Sequence, residues 1–194
     1  MVKKCYINHI GKFLPGDPIS NEEMEDYLGM IDGVPSRARE KVLNQNKIET
    51  RYYALDKEQN TTMSNAAMAA EAVRDVIGRS KLTLDDIELL VTATCQGDIP
   101  LPGFASMVHG ELKNQPCEIA SLHGICASSV LALRHATAAI KADEVTQATV
   151  VASELASRLL KARRFEEQGY GCLLYTSDAA DEGLGVDLGG RRII

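Results

Sequence analysis

Apolar and polar positions along the chain follow two periods, one typical of strands and one typical of amphipathic helices. The strand-like runs are short and bounded by turn residues, whereas the helix-like runs place apolar residues three and four positions apart. We expect strands over residues 2–10, 48–55, 87–94, 117–121 and 148–153. We expect helices over residues 20–29, part of 32–46, 62–77, 104–112 and 126–142, and a single helical turn from Thr83 to Asp86. Ser20 and Glu23 are spaced as a capping box at the start of the first helix, and Thr62 is the predicted cap of the third.

Strands alternate with helices along most of the chain. This order favours an α/β fold in which a mixed, mostly parallel sheet carries helices on both faces. Residues 87–94 are apolar with little alternation, as expected for a strand buried on both sides. Because function in such folds gathers at the carboxyl ends of the strands, the loops after residues 94 and 121 are candidate sites.

Cys126 lies where a loop is predicted to turn into a helix, within the stretch 120–133. The first turn of a helix has unpaired N–H groups and the positive end of the helix dipole, and both favour a thiolate, the nucleophilic form. The pattern Gly-x-Cys-x-Ser is also similar to a nucleophile elbow. Cys126 is therefore a candidate nucleophile, the alternative being an inert core cysteine. The apolar side of the helix is predicted to carry Val130, Leu133, Thr137 and Ile140.

The chain has 194 residues, of which 45% are hydrophobic and 25% charged, so one globular domain is expected. A net charge of -6 argues against a nucleic acid or an anionic membrane as a partner. No apolar run is long enough to span a membrane, and we expect no signal peptide. The cysteines are odd in number and never spaced C-x-x-C, which fits neither a disulfide framework nor a zinc site and predicts a cytoplasmic location. They are Cys5, Cys95, Cys117, Cys126 and Cys172.

Residues 172–194 are rich in glycine and follow neither period. Their sequence resembles the conceptual translation of a sequencing-library adapter. We therefore expect residues 1–171 to be the truncated N-terminal domain of a longer parent protein and residues 172–194 to be a non-native tail.

The Cys126 turn, the strand 87–94, the Pro-containing loop after it and the Ile48-x-x-Arg51 segment occur in an order that resembles a known family. This order is similar to the N-terminal half of the beta-ketoacyl-acyl-carrier-protein synthase III-like condensing enzymes of the thiolase superfamily. The resemblance covers roughly residues 2–164 and is most specific over 120–133. It implies a thiolase-like fold, of which this chain would be the N-terminal half of a five-layered αβαβα sandwich, in a parent that acts as a homodimer.

The resemblance also implies a reaction. Cys126 would take an acyl group from acyl-CoA or an acyl-carrier protein, with its own backbone N–H helping to hold the oxyanion, and would keep the acyl group as a thioester. A malonyl-carrier thioester would then lose carbon dioxide and attack it, in a decarboxylative Claisen condensation of fatty-acid or polyketide-like synthesis. These thioesters are substrates, and no cofactor or metal is implied. By position, the resemblance assigns substrate binding to Gln96, Leu101, Pro102 and Arg51.

Two departures from the family pattern change the expectation. The family's catalytic His and Asn belong to the C-terminal half, so we expect this chain alone to be inactive in condensation. The chain has no Trp, and Gln45 stands where the family's adenine clamp carries an Arg, which favours either a carrier protein as the donor or a divergent CoA site. The alternatives are a cysteine-dependent acyltransferase or thioester hydrolase without condensation, and a non-catalytic partner subunit of a condensing enzyme.

Other polar residues near the predicted site allow two interpretations each. His123, three residues before Cys126, is either a base or a structural part of its loop. Glu154, just after a predicted strand, either reaches the site or is a solvated or ion-paired carboxylate. A basic cluster either meets an acidic carrier protein or forms a solvated helix face, and it consists of Arg158, Lys161, Arg163 and Arg164.

Overall fold

The computed structural model describes residues 4–37, 39–167 and 169. The strands in this part of the chain are β1 (Ile19–Ser20), β2 (Thr50–Arg51), β3 (Leu89–Ala93), β4 (Glu118–Leu122) and β5 (Ala148–Ala152). The α-helices are α1 (Met24–Leu28), α2 (Arg39–Asn46), α3 (Asn65–Gly78), α4 (Phe104–Leu112), α5 (Ser128–Lys141) and α6 (Ala162–Glu167). Of the described residues, 4–14 and 64–154 form a first compact unit, and the others form a second.

The first unit is built on a parallel sheet of three strands in the order β4-β3-β5. The central strand β3 is buried along its whole length, as its apolar sequence predicts. Its last residue, Ala93, lies opposite Leu122 of β4 and Ala152 of β5. We call this end of the sheet the carboxyl edge. The loops that follow β3, β4 and β5 all leave from it.

Helices cover both faces of this sheet, which confirms the predicted α/β arrangement. Leu90 of β3 points to the face packed by α3 and α4, where it meets a core that includes Val73 and Phe104. Its neighbours Leu89 and Val91 point to the opposite face and pack against α5. The two faces alternate because successive side chains of a strand point in opposite directions.

The buried face of α5 differs from the predicted one. The predicted apolar side included Val130 and Leu133, but these side chains are 66% and 44% exposed. The buried residues of α5 are instead small, and the three alanines among them pack against β3, where a close approach of helix to sheet leaves no room for large side chains. They are Ser128, Ala132, Ala136 and Ala139.

The predicted first strand is wrong over its described residues, 4–10, which have no regular secondary structure. No described strand lies beside this segment to pair with it, and Tyr6 and Ile7 are exposed. The chain instead runs along α3, where the Lys12 N–H donates to Asp75 Oδ2 at 2.8 Å. Arg79 on the same helix, together with this N–H, lowers the pKa of the Asp75 carboxyl below its ordinary value.

Replacing Gly11 by alanine is expected to detach this segment from α3. A Cβ at Gly11 would lie 2.5 Å from the backbone nitrogen of Val76, and a helix backbone cannot move aside as a flexible side chain can. We expect a cost of about 1–3 kcal/mol, as for other overpacked sites. The measurement is the rate of tryptic cleavage after Lys12, which should rise.

The matched control is Gly78→Ala at the end of α3, where the described chain places nothing within 4 Å of the added Cβ. Alanine there favours the helix, so cleavage after Lys12 should stay at the rate of the unmodified chain. Equal cleavage rates in the two variants would contradict the predicted steric conflict.

The second unit contains the antiparallel pair of β1 and β2, in which Ile19 lies opposite Arg51. The predicted strand 48–55 is thus confirmed only at Thr50–Arg51. Helix α1 ends before Gly29, as predicted, but begins at Met24, four residues after Ser20. The Ser20 N–H donates to Glu23 Oε2 at 3.1 Å, which is one half of the predicted capping box. A small core surrounds these elements and consists of Ile19, Met24, Leu28, Tyr53 and Leu55.

Among the described residues, no helix is long and apolar enough to cross a membrane. The longest helices, α3 and α5, have 14 residues each. Residues 2, 3 and 172–194, for which the sequence predicts part of a strand and a non-native tail, lie outside the described part of the chain.

Candidate active site

Cys126 is exposed and lies in a short 3-10 turn, Ile125–Ala127, between β4 and α5. The prediction that it occupies the first turn of the long helix is wrong, because α5 begins only at Ser128. Ile125, directly before the cysteine, has a φ of 51° and is in the left-handed region. The chain makes a sharp bend immediately before the cysteine, as a nucleophile elbow requires.

Ser128 stabilises this bend from its C-terminal side. Its buried Oγ accepts a hydrogen bond from the Gly124 N–H at 3.1 Å and donates one to the Ile125 carbonyl oxygen. The Ala127 N–H closes the turn by donating to the Gly124 carbonyl oxygen at 3.0 Å. A left-handed conformation costs a β-branched residue on the order of 1–3 kcal/mol, and these bonds help to offset that cost.

The loop after β3 lies beside this turn at the carboxyl edge of the sheet. The Thr94 N–H donates to the Leu122 carbonyl oxygen at 3.4 Å, so β3 and β4 remain paired up to the start of both loops. Gln96 is exposed in the loop, and Leu101 and Pro102 are exposed just before α4. The structure therefore places three of the four predicted substrate-binding residues in the loop next to the Cys126 turn.

Both ends of this loop are attached to neighbouring elements. Near its start, the Asp98 carboxylate accepts from the N–H groups of Asn65 and Ala66, each at 2.9 Å, and so caps the N-terminus of α3. At its end, the Ala105 N–H in the first turn of α4 donates to Ser121 Oγ of β4 at 2.8 Å. The predicted cap of α3, Thr62, is wrong, since Ser64 is the N-cap residue.

Asn65 is a polar residue of this region that the sequence interpretation missed. It is fully buried, and its Nδ2 donates to Thr94 Oγ1 at 3.0 Å and to the Ser153 carbonyl oxygen at 3.1 Å. Its Oδ1 accepts from Ser153 Oγ at 2.7 Å. One side chain thus joins α3 to the ends of β3 and β5. Nothing in the local sequence distinguishes Asn65 from other polar residues that commonly occur at the start of a helix.

Glu154 and His123 both contact the loop after β3. Glu154 Oε1 accepts from the Cys95 N–H at 2.6 Å, and its Oε2 accepts from Thr94 Oγ1 at 3.3 Å. His123 Nδ1 lies 3.0 Å from the Thr94 carbonyl oxygen. Both side chains are therefore engaged with the backbone at the carboxyl edge.

Arg51, the fourth predicted substrate-binding residue, belongs to the second unit. It is buried in β2, where its Nη1 donates to Asn21 Oδ1 at 2.7 Å. Among the described residues, no group of three or more His, Cys, Asp or Glu side chains is arranged to hold a metal ion.

No protein-family model matches the chain. The beta-ketoacyl-[acyl-carrier-protein] synthase III of Cereibacter sphaeroides is 31% identical to it over 160 residues, which are 82% of this chain and 46% of that protein. The enzyme of the same description from Dinoroseobacter shibae is 28% identical over the same shares of both chains. The chain is a partial relative of the beta-ketoacyl synthase III enzymes. It spans about half the length of the curated relatives it matches.

Solved structures agree with this relationship at the level of the fold. The 3-oxoacyl-[acyl-carrier-protein] synthase III of Aquifex aeolicus superimposes with a TM-score of 0.64 at 19% identity, over 80% of this chain and 47% of that one. The priming beta-ketosynthase of the R1128 polyketide pathway gives a TM-score of 0.62 at 21% identity, over 77% of this chain and 41% of that one. The predicted resemblance to the beta-ketoacyl synthase III enzymes and the predicted thiolase-like fold are confirmed.

Proposed function

We propose that the parent protein is a 3-oxoacyl-(acyl-carrier-protein) synthase III-type acyltransferase whose nucleophile is Cys126. The observation that supports this most directly is an exposed cysteine at a sharp bend on the carboxyl edge of a parallel sheet. Its thiolate would attack the carbonyl carbon of an acyl thioester. A new carbon–sulfur bond to Cys126 forms, and the thiol of CoA or of the carrier protein leaves.

The condensation step uses this acyl-enzyme. A malonyl-carrier thioester loses carbon dioxide, and the resulting carbanion attacks the acyl carbonyl carbon. A carbon–carbon bond forms, the bond to the Cys126 sulfur breaks, and the 3-oxoacyl product leaves on the carrier. For the oxyanion we propose the Cys126 N–H as a donor, as the resemblance to the condensing enzymes implies.

The acyl chain would lie against the loop after β3. Leu101 is 82% exposed and offers apolar surface at the same edge as Cys126, with Pro102 next to it and Gln96 earlier in the loop. Arg51 remains a prediction from the resemblance, and its described hydrogen bond to Asn21 fits a structural role in the second unit equally well.

An acyl-carrier protein is the proposed partner of this site. The basic cluster would meet its acidic surface, because opposite charges accelerate such encounters. Burial, and secondarily the nearby charge of Arg163, lower the pKa of Lys161 in this cluster.

We propose a cytoplasmic homodimer for the parent. The exposed apolar side of α5, with Val130 and Leu133, supports an association with further protein surface.

Intact-mass spectrometry of the 194-residue chain tests the first step. We expect incubation with an acyl-carrier protein or acyl-CoA to add one acyl group, located on Cys126 and removed by hydroxylamine. Adding the malonyl-carrier thioester should give no 3-oxoacyl product. The resemblance places the decarboxylating His and Asn in the C-terminal half of the fold, which the 194 residues used in this experiment do not supply.

Each other result supports a different function. The absence of an adduct with both donors would contradict the proposed acylation of Cys126 in this chain and favour a partner subunit. Release of free acid without the malonyl donor would indicate a hydrolase, and a 3-oxoacyl product would contradict the predicted inactivity of this chain alone.

A further inference from the structure

The peptide group between Thr94 and Cys95 is hydrogen-bonded at both of its ends by side chains. On one side, the Cys95 N–H donates to Glu154 Oε1 at 2.6 Å. On the other side, His123 Nδ1 lies 3.0 Å from the Thr94 carbonyl oxygen. Because a carbonyl oxygen can only accept, Nδ1 carries the hydrogen, and in the neutral ring Nε2 is the acceptor.

Glu154 and His123 both project from backbone that hydrogen bonds and strand pairing hold in place. Glu154 directly follows Ser153, whose N–H donates to the Ala93 carbonyl oxygen at 3.1 Å and whose Oγ donates to the buried Asn65. His123 directly follows Leu122, the last residue of β4. The peptide group at the end of β3 is thus held by groups attached to the ends of both neighbouring strands.

The two hydrogen bonds reinforce each other. A bond from an N–H to a carboxylate is stronger than one between neutral groups. It polarises the peptide group and makes the carbonyl oxygen at its other end a better acceptor, so the bond from His123 strengthens as well. Loss of Glu154 should therefore weaken the contact of His123, although the two side chains lie on opposite sides of the peptide group.

We propose that Glu154 and His123 are positioning residues that hold the Thr94–Cys95 peptide group from both sides and thereby fix the turn that carries Cys126. This inference rests on the proposed role of Cys126 as the nucleophile. His123 is followed directly by Gly124, whose N–H donates to Ser128 in the same turn. Loss of the imidazole contact would therefore leave the start of this turn less constrained.

Conservative variants separate positioning from other roles. His123→Asn keeps a donor at the place of Nδ1 and removes Nε2, whereas His123→Ala removes both. Glu154→Gln keeps an acceptor oxygen for the Cys95 N–H, and Glu154→Ala does not. Glu88→Ala is the matched control at the opposite end of the sheet, where the Glu88 carboxylate accepts from the Thr146 N–H at 2.8 Å and from its hydroxyl.

Amide hydrogen exchange of the full 194-residue chain and the rate of Cys126 alkylation by iodoacetamide are both measurable by mass spectrometry. In Glu154→Ala and His123→Ala we expect exchange in segments 94–96 and 123–127 to rise about tenfold and alkylation of Cys126 to slow at least about threefold. His123→Asn should stay within about twofold of the unmodified chain, since it keeps the donor to the Thr94 carbonyl oxygen. Glu154→Gln should fall between the unmodified chain and Glu154→Ala, since it keeps an acceptor for the Cys95 N–H but loses the charge. Glu88→Ala should raise exchange only around 145–148.

Two results would overturn the proposal. Faster exchange at 94–96 in Glu154→Ala with unchanged exchange at 123–127 would show that the contact does not extend to the Cys126 turn. If His123→Asn were as slow in alkylation as His123→Ala, His123 would act through Nε2 as a base. Neither measurement needs an acyl donor, so failure of the unmodified chain to accept an acyl group would count against the proposed function alone.

Discussion

Replacing Cys126 by serine is expected to abolish acyl transfer to this chain, with a rate loss of about a thousandfold or more. A serine hydroxyl is not ionised at neutral pH and is a far weaker nucleophile than a cysteine thiolate. The side chains are nearly equal in size, and residue 126 is exposed, so the turn itself should persist. The measurement is the time course of acyl adduct formation by intact-mass spectrometry.

Cys95→Ser is the control for this experiment. Cys95 is the other exposed cysteine at the carboxyl edge, and the hydrogen bond to Glu154 uses its backbone N–H rather than its side chain. We expect the variant to accept the acyl group at nearly the rate of the unmodified chain. If Cys95→Ser lost the adduct and Cys126→Ser kept it, the nucleophile would be Cys95.

The elements that the sequence predicts best are those with clear local boundaries. Helix 104–112 is confirmed to the residue, because Gly103 precedes it and Lys113 ends it in a left-handed conformation. The apolar run 87–94 contains β3, whose burial on both faces is evident from its composition. The role of Cys126 as a nucleophile stays a prediction, which rests on the small residues and the helix start within a few positions of it, on its place after a strand and on the resemblance.

What the sequence could not show depends on contacts between distant segments. Glu154 reaches Cys95 across 59 positions, and Asn65 reaches Ser153 across 88, so no spacing rule relates these residues. The face of α5 was predicted from its largest apolar side chains, but the close fit to the sheet selects alanines. The left-handed conformation of Ile125 could not be predicted either, since a β-branched residue disfavours positive φ and adopts it here beside the hydrogen bonds of Ser128.

Asn65→Ala is expected to destabilise the first unit by about 3 kcal/mol, because three buried or partly buried groups each lose a hydrogen bond to the Asn65 amide. These groups are the Thr94 hydroxyl, the Ser153 carbonyl oxygen and the Ser153 hydroxyl. Helix propensity acts in the opposite direction, since alanine is the better helix former at this position of α3. Urea denaturation followed by circular dichroism would measure the change in the free energy of unfolding.

Asn114→Ala is the matched variant, because it removes the same kind of side-chain amide from a site where that amide makes few hydrogen bonds. Within the described chain, Asn114 Oδ1 is buried without a hydrogen-bond partner, and Nδ2 makes only a long contact of 3.8 Å to Cys117 Sγ. Burial raises the pKa of that thiol, so the contact is to a neutral group. We expect this variant to stay within about 0.5 kcal/mol of the unmodified chain. If Asn65→Ala cost no more than Asn114→Ala, the joining of α3 to β3 and β5 by Asn65 would contribute nothing to stability, and the fixed strand end from which Glu154 projects would need another explanation.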